Sequence, residues 1–88
     1  YQNRPNPFRE GTEISYLIPS AQEHVSLKIY SLSGRLVTTL VNETKDGGYH
    51  SVYWRGRDGP GTELSSGVYV YRIKVGQLRE TRKMVLLK

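Results

Sequence analysis

The segment Ser65-Ser66-Gly67-Val68-Tyr69-Val70-Tyr71-Arg72-Ile73-Lys74-Val75 decides the fold of this chain. Because successive side chains of a β-strand point to opposite faces, this segment predicts a strand with one wholly apolar face. That face consists of Tyr69, Tyr71, Ile73 and Val75. The opposite face changes from apolar at Val68 to basic at Lys74. β-Branched and aromatic residues favour strands, so we expect a central strand here with the other segments packed around it.

The rest of the chain predicts more strands, separated by turn residues. We expect strands at 12–18, 24–30, 35–41, 49–55 and 78–87, and a short extended piece at 62–64. Pro19 is expected to end the first strand, and 20–23 and 42–48 to form a turn and a loop. This pattern, without helical periodicity, predicts an all-β fold, an immunoglobulin-like antiparallel β-sandwich of about seven strands. A five-stranded oligonucleotide-binding barrel is the alternative.

The alternation also predicts the core. The residues on the inward faces are Ile14, Tyr16, Val25, Leu27, Ile29, Val52, Trp54, Tyr69, Tyr71 and Ile73. Burial of an apolar face is the main favourable contribution to folding, so these positions are expected to tolerate truncation poorly.

Length and composition limit the possible functions. The 88 residues predict one domain spanning 1–88, without cysteine and therefore without a disulfide. No apolar run is long enough for a transmembrane helix. Because the chain opens on Tyr1 rather than Met, we expect a fragment of a longer protein. Thirteen basic and eight acidic residues give a net charge of +5, which suits an anionic partner. No helix or RNA-binding signature is present, so nucleic acid is not expected.

Metal-binding and catalytic groups are sparse. His24 and His50 lie on different predicted strands without further ligands at zinc spacing, so no metal site is expected there. The acids of the 42–48 loop, and Asp58 with Glu63, lack the spacing of a dedicated calcium loop. Turn formation explains them better. No paired carboxylates, catalytic triad or phosphate-binding loop is indicated. The sequence therefore predicts a protein that is not an enzyme and holds no cofactor.

Aromatic side chains offer an alternative function. Tyr30, Tyr49 and Tyr53 fall on faces predicted to be exposed, where aromatic rings can stack on sugars. A carbohydrate-binding or adhesion module is therefore one alternative interpretation.

Several short motifs follow one another along almost the whole chain. They are Pro5-Asn6-Pro7-Phe8, Ile14-Ser15-Tyr16, Val25-Ser26-Leu27-Lys28-Ile29-Tyr30, Gly34-Arg35-Leu36-Val37, Gly48-Tyr49-His50-Ser51-Val52-Tyr53-Trp54, Leu64-Ser65-Ser66-Gly67-Val68-Tyr69 and Thr81-Arg82-Lys83-Met84-Val85-Leu86-Leu87-Lys88. In order and spacing the chain resembles the C-terminal sorting domain of the bacterial type IX secretion system (the Por secretion tail, type A). The pattern is also similar to the immunoglobulin-like domain of flagellar hook-capping proteins.

The resemblance implies a non-catalytic sorting signal at the end of a larger secreted protein. It implies that an upstream cargo domain crosses the periplasm and outer membrane of a Gram-negative bacterium and reaches the cell surface or the medium. The implied partners are the outer-membrane translocon and a sortase-like peptidase. The residues that match the family motifs, and that are expected to be recognised by the translocon, are Pro5, Asn6, Pro7, Phe8, Gly34, Arg35, Val37, Lys83, Met84, Val85, Leu86, Leu87 and Lys88.

The last predicted strand is apolar on both faces near the end of the chain. Met84 and Leu86 lie on one face, and Val85 and Leu87 on the other. An exposed edge strand is a ready template for pairing with another chain, which suits a recognition role. The alternative is a closing strand that is buried on one face and shielded on the other by a loop.

Overall fold

The computed structural model describes residues 2–88 and consists of four antiparallel strands in one sheet. The strands are β1 (Thr12–Ser31), β2 (Leu36–Trp54), β3 (Gly67–Val75) and β4 (Leu78–Leu86), in the spatial order β2-β1-β3-β4. The central strand β3 lies where the sequence predicts it, and a two-residue turn joins it to β4. Within residues 2–88 there is no helix long and apolar enough to cross a membrane.

The prediction of about seven strands is wrong, because two predicted breaks lie inside continuous strands. β1 runs through Pro19 and the expected turn at 20–23, and β2 runs through the expected loop at 42–48. The two strands pair from Thr12↔Trp54 to Tyr30↔Leu36. Each long strand therefore replaces two of the predicted ones.

A bulge takes the place of the expected turn and loop. Between the pairs Ile18↔Gly48 and Gln22↔Asp46, three residues of β1 lie opposite Gly47 alone. A Cβ atom at Gly47 would lie 2.1 Å from the Ser20 carbonyl oxygen, so the close approach of the two backbones requires glycine. Extra residues in one strand bend the pair, and proline is tolerated at such an irregularity. The turn-forming composition thus encodes a bend within a strand pair.

Two smaller irregularities lie opposite 35–41, where the apolar residues Leu36, Val37, Leu40 and Val41 do not alternate strictly. The register shifts between Leu27 and Lys28 and again between Ile29 and Tyr30. Each shift places one additional β2 residue in the pair, first Leu40 and then Val37. One inserted residue reverses which face of the sheet the following side chains occupy. The apolar residues of this segment can therefore reach the core although they do not alternate strictly in the sequence.

The long strands place two layers around one core. β1 pairs with β3 only from Val25 onward. The first half of the β1–β2 pair consists of 12–18 with 48–54, and we call it the front ribbon. It is therefore not paired with β3 or β4. Its side chains nevertheless share one hydrophobic cluster with those two strands, and the Trp54 and Tyr69 rings are 5.8 Å apart. Two layers packed on a common core form the sandwich that the alternation predicts, within an immunoglobulin-like fold.

The predicted core is confirmed at every position except Val52, which is only partly buried. The sequence-based list omitted further buried residues, namely Phe8, Ile18, Val41, Val75, Met84 and Leu86. The Tyr69 hydroxyl donates a hydrogen bond of 2.8 Å to the carbonyl of Ser65, four residues upstream. This bond has the geometry of a tyrosine corner, a feature of immunoglobulin-like sandwiches.

Candidate functional site

The segment before β1 runs along the outer edge of the end of β4. The Phe8 amide donates to the Val85 carbonyl (2.9 Å), and the Leu87 amide donates to the Phe8 carbonyl (2.8 Å). The Asn6 side-chain oxygen accepts a third bond, from the Val85 amide (2.9 Å). Phe8 and Leu86 form a parallel bridge. We call residues 3–8 and 83–88 together the terminal edge.

The beginning of the terminal edge is anchored to β1. Arg4 exchanges two backbone hydrogen bonds with Glu13. Asn3 is 2% exposed, and its side-chain amide donates to the hydroxyl of the fully buried Thr12 (2.9 Å). That hydroxyl in turn donates to the Pro5 carbonyl (2.9 Å). Buried polar groups are costly unless they are paired, so this network fixes the path of the segment. The path includes cis peptide bonds before Pro5 and Pro7.

The middle of the terminal edge is held by packing. The Phe8 side chain is 1% exposed, and its ring centroid is 5.6 Å from that of Trp54. Met84 and Leu86 are fully buried on the inner face of β4. Burial of Phe8, Met84 and Leu86 therefore ties both ends of the sequence into one core.

The terminal edge unites two of the three predicted recognition motifs. Its exposed members are Pro5, Asn6, Pro7, Lys83, Leu87 and Lys88, while Val85 is half-buried. The buried members, Phe8, Met84 and Leu86, are accessible only if the domain opens. The expectation of an open edge strand is wrong for this end of β4, because residues 6–8 already occupy its outward-pointing backbone groups. This outcome agrees with the alternative of a closing strand shielded by another segment.

The third predicted motif lies elsewhere. Gly34, with a φ of 92°, and the exposed Arg35 form the turn between β1 and β2. This turn is at the same end of the sheet as Lys83, since Leu36, Tyr30, Val70 and Lys83 form one row across the four strands. Three strand spacings, roughly 14 Å, separate the two edges. Val37 is half-buried, and its carbonyl accepts a bond from Gly59 (3.1 Å).

Neither histidine belongs to a metal-ligand cluster. The Nε2–H group of His24 donates to the Asn42 side chain (2.9 Å), and that of His50 donates to the Asp46 carbonyl (2.7 Å). The His50 ring also stacks on Tyr16 at 5.5 Å. Within residues 2–88, no three His, Cys, Asp or Glu side chains are grouped so that they could hold a metal ion.

The acids considered for calcium have other contacts. Glu43 pairs with Lys45 at 3.0 Å on β2, which is a strand here rather than the expected loop. The Asp58 carboxylate accepts from the amides of Gly61 (3.0 Å) and Thr62 (2.7 Å), and thus closes its own turn. Glu63 pairs with Arg57 at 3.4 Å, beside the backbone bridge that confirms the expected extended piece at 62–64.

Of the three tyrosines considered for sugar stacking, two are covered by arginine. The Arg72 guanidinium lies 5.2 Å from the centre of the Tyr30 ring, and that of Arg55 lies 5.4 Å from Tyr53. Tyr49 is 72% exposed on the outer face of the front ribbon, opposite Leu17. A flat platform of three free rings is therefore absent among these positions, and carbohydrate binding through Tyr49 stays a prediction.

The sequence analysis did not identify the roles of Asn3, Thr12 and Tyr71, whose side chains position the terminal edge. Burial raises the pKa of Tyr71 to about 12, and a backbone hydrogen bond from Asn3 opposes this rise only weakly. Tyr71 thereby connects β3 to the start of the chain. No local pattern indicates such contacts, because they join residues far apart in sequence.

Comparison with known proteins assigns the family. The model of the FlgD Ig-like domain matches residues 5–78, which is most of the chain. The chain belongs to the FlgD Ig-like domain family. The matched part includes the start of the terminal edge, the β1–β2 turn and β3. No match was found among curated proteins.

Solved structures support this fold. Dimeric latent PorU from Porphyromonas gingivalis is similar over 98% of this chain, with 26% identity and a TM-score of 0.81. PorZ of the same bacterium, described as an essential surface component of the type IX secretion system, is similar over 99% (22% identity, TM-score 0.66). FlgD from Pseudomonas aeruginosa is similar over 86% (20% identity, TM-score 0.66). The chain spans 9% of PorU, 11% of PorZ and 59% of FlgD.

Proposed function

We propose that this FlgD Ig-like domain is a non-catalytic C-terminal sorting signal that directs an upstream cargo through the outer membrane by the type IX secretion system. The observation that carries the proposal is the terminal edge, in which the Pro5–Phe8 and Lys83–Lys88 motifs form one structure. Two of the three motifs that match the sorting-domain pattern, although separated by most of the sequence, are thus adjacent in space.

The structural neighbours favour this proposal. PorU and PorZ contain a domain of this shape as about a tenth of their lengths, and PorZ is a component of the type IX secretion system. The proposed partners are the outer-membrane translocon, a sortase-like peptidase and the cargo domain in cis. The proposed destination is the cell surface or the medium of a Gram-negative bacterium.

The exposed part of the terminal edge suits recognition rather than catalysis. Pro5 and Pro7 present rigid, exposed backbone, and Leu87 is 39% exposed beside Lys88. Since the Phe8 and Asn6 bonds fill this part of the edge, we infer that the translocon contacts side chains on this surface instead of adding a strand to the end of β4.

A fusion experiment tests the proposal. The 88-residue chain is attached to the C-terminus of a reporter enzyme that carries an export signal, in a host with the type IX machinery. We expect the reporter outside the cell, and we expect it to stay in the periplasm of the same host without the translocon. Equal release from both strains would contradict the proposal.

A flagellar hook-capping domain is the second candidate, because the matching family is named for FlgD and FlgD itself is a structural neighbour. In that role the domain would complement hook assembly when it replaces the corresponding domain of FlgD. Restored motility together with a periplasmic reporter in the fusion experiment would favour this candidate over sorting.

Carbohydrate binding is the remaining alternative, and its test uses the exposed Tyr49. If the domain binds a neutral glycan, its migration in affinity electrophoresis is slowed, and Tyr49→Ala removes the effect. We expect no such retardation if sorting is the function.

A further inference from the structure

The outer face of the sheet carries five basic side chains, which we call the basic face: Lys28, Arg72, Lys74, Arg79 and Lys83. Strand register places them on three neighbouring strands. Lys28 lies opposite Arg72, Lys74 lies opposite Arg79, and Lys83 lies opposite Val70. Neighbouring strands are about 4.8 Å apart and alternate residues of one strand about 6.8 Å apart, so the backbones present positive charge at regular short intervals.

The basic face contains uncompensated like-charge pairs. Directly opposed like charges destabilise a sheet, and here two such pairs are adjacent. In residues 2–88, the ion pairs involve Lys45, Arg57 and Arg82, and none includes a member of the basic face.

The acids of the same sheet do not neutralise this face. Glu23, Glu43 and Glu80 lie on the same face of the sheet as the buried residues Val25 and Ile73, and so on the side opposite to the basic face. Asp46 lies on the outer face, opposite Gln22. Gln22 is six residues from Lys28 along β1, so Asp46 is roughly 20 Å from Lys28. Solubility alone does not require the charges to be clustered, because the same charges spread over the surface would destabilise the fold less.

Polar side chains surround the charges and make a shallow groove. Ser26 and Tyr30 line it together with four of the basic residues. Thr39 lies opposite Lys28, and Thr81 lies opposite Arg72. Hydroxyl groups can both donate and accept hydrogen bonds, so the groove can bind hydroxyl groups as well as anions.

We propose that the basic face binds an acidic polysaccharide, one with a carboxylate on every sugar or every second sugar. Regularly spaced cations match regularly spaced carboxylates, and the flanking serine and threonine hydroxyls match the sugar hydroxyls. This binding goes beyond the sorting function and does not depend on it, because the face shares only Lys83 with the terminal edge.

Other polyanions fit the face less well. Protein interfaces are depleted in lysine and centre on aromatic or apolar anchors, whereas the two charge pairs have no such anchor between them. Single-stranded nucleic acid requires open aromatic rings for stacking, and the ring of Tyr30 is covered by Arg72.

The test measures binding of the 88-residue chain to polygalacturonate, with neutral dextran, polyglutamate and DNA as comparison ligands. We expect polygalacturonate to bind best, and the affinity to fall steeply with salt. The variant K74Q/R79Q should bind at least tenfold more weakly. The matched control R9Q/K88Q removes two exposed charges away from the face and should change the affinity less than about threefold, which follows from screening of distant charges.

A second variant separates binding from folding. Arg79→Glu converts one like-charge pair into an attractive pair, so Tm should rise by about 1–5 °C while binding is lost. An unchanged affinity for either face variant, an equal loss in R9Q/K88Q, stronger binding of polyglutamate or DNA, or no binding at low salt would each overturn the proposal.

Discussion

The two ends of β4 have the same partner strand but different environments. From Leu78 to Lys83 the strand is mostly exposed, and its charged residues occupy both of its faces. From Met84 onward it is buried on its inner face, and residues 6–8 cover its outer edge. The difference shows that stability is concentrated at the end where the chain's first and last segments meet. The residues proposed for recognition are therefore mixed with residues that the fold requires.

This comparison changes how truncation experiments must be interpreted. Deleting 84–88 removes the fully buried Met84 and Leu86, so a secretion defect would follow from unfolding alone. Only substitutions of exposed side chains separate recognition from folding.

The largest expected difference is between two leucines of β4. Leu86 is 0% exposed and Leu78 is 63% exposed. Leu86→Ala should lower the free energy of unfolding by about 2–5 kcal/mol, because it leaves a cavity beside Phe8 and Gly56. Leu78→Ala should change it by less than about 0.5 kcal/mol. Urea unfolding measures both free energies. Similar decreases in the free energy of unfolding for the two variants would contradict the claim that stability is concentrated at the Met84 end of β4.

Alkaline unfolding tests the burial of the Tyr71 hydroxyl, which raises its pKa. The folded pKa of about 12 lies above the ordinary value of 10.0, so the protonated phenol stabilises the folded state below pH 10. This contribution is lost as the pH rises from 10 to 12 and amounts to at most about 3 kcal/mol. Tyr71→Phe should show a smaller loss of stability over that interval. The same pH dependence in both proteins would show that another group is responsible.

A smaller effect is expected at Asn6. Asn6→Ala removes the acceptor of the Val85 amide and should cost about 0.5–1.5 kcal/mol. The matched variant is Asn42→Ala, which removes the acceptor of a bond from the exposed His24 and should matter less. Hydrogen exchange should also accelerate at Val85 in the first variant alone. Unchanged exchange at Val85 would mean that this bond does not close the edge.

Local pattern was sufficient for part of this structure. The alternation in 24–30 and 67–75 predicted the buried faces, since each side chain there follows the period of a strand. The long strands could not be predicted, because turn-forming residues at 42–48 are held in β2 by pairing with β1. The terminal edge was also unpredictable in detail. Its motifs were identified, but their contact depends on the pairing of residues almost eighty positions apart.

The most direct test of the sorting proposal compares two substitutions of the same kind, one at each end of the last segment of the chain. In the reporter fusion, Leu87→Asp alters the exposed surface of the terminal edge, while Leu78→Asp alters the still more exposed start of β4 beside the hairpin turn. Unfolding of the isolated domains verifies that both variants remain folded. We predict that extracellular reporter falls at least tenfold for Leu87→Asp and stays within about twofold for Leu78→Asp, since rim contacts outside an interface contribute little. Equal secretion of the two folded variants would contradict recognition through the terminal edge.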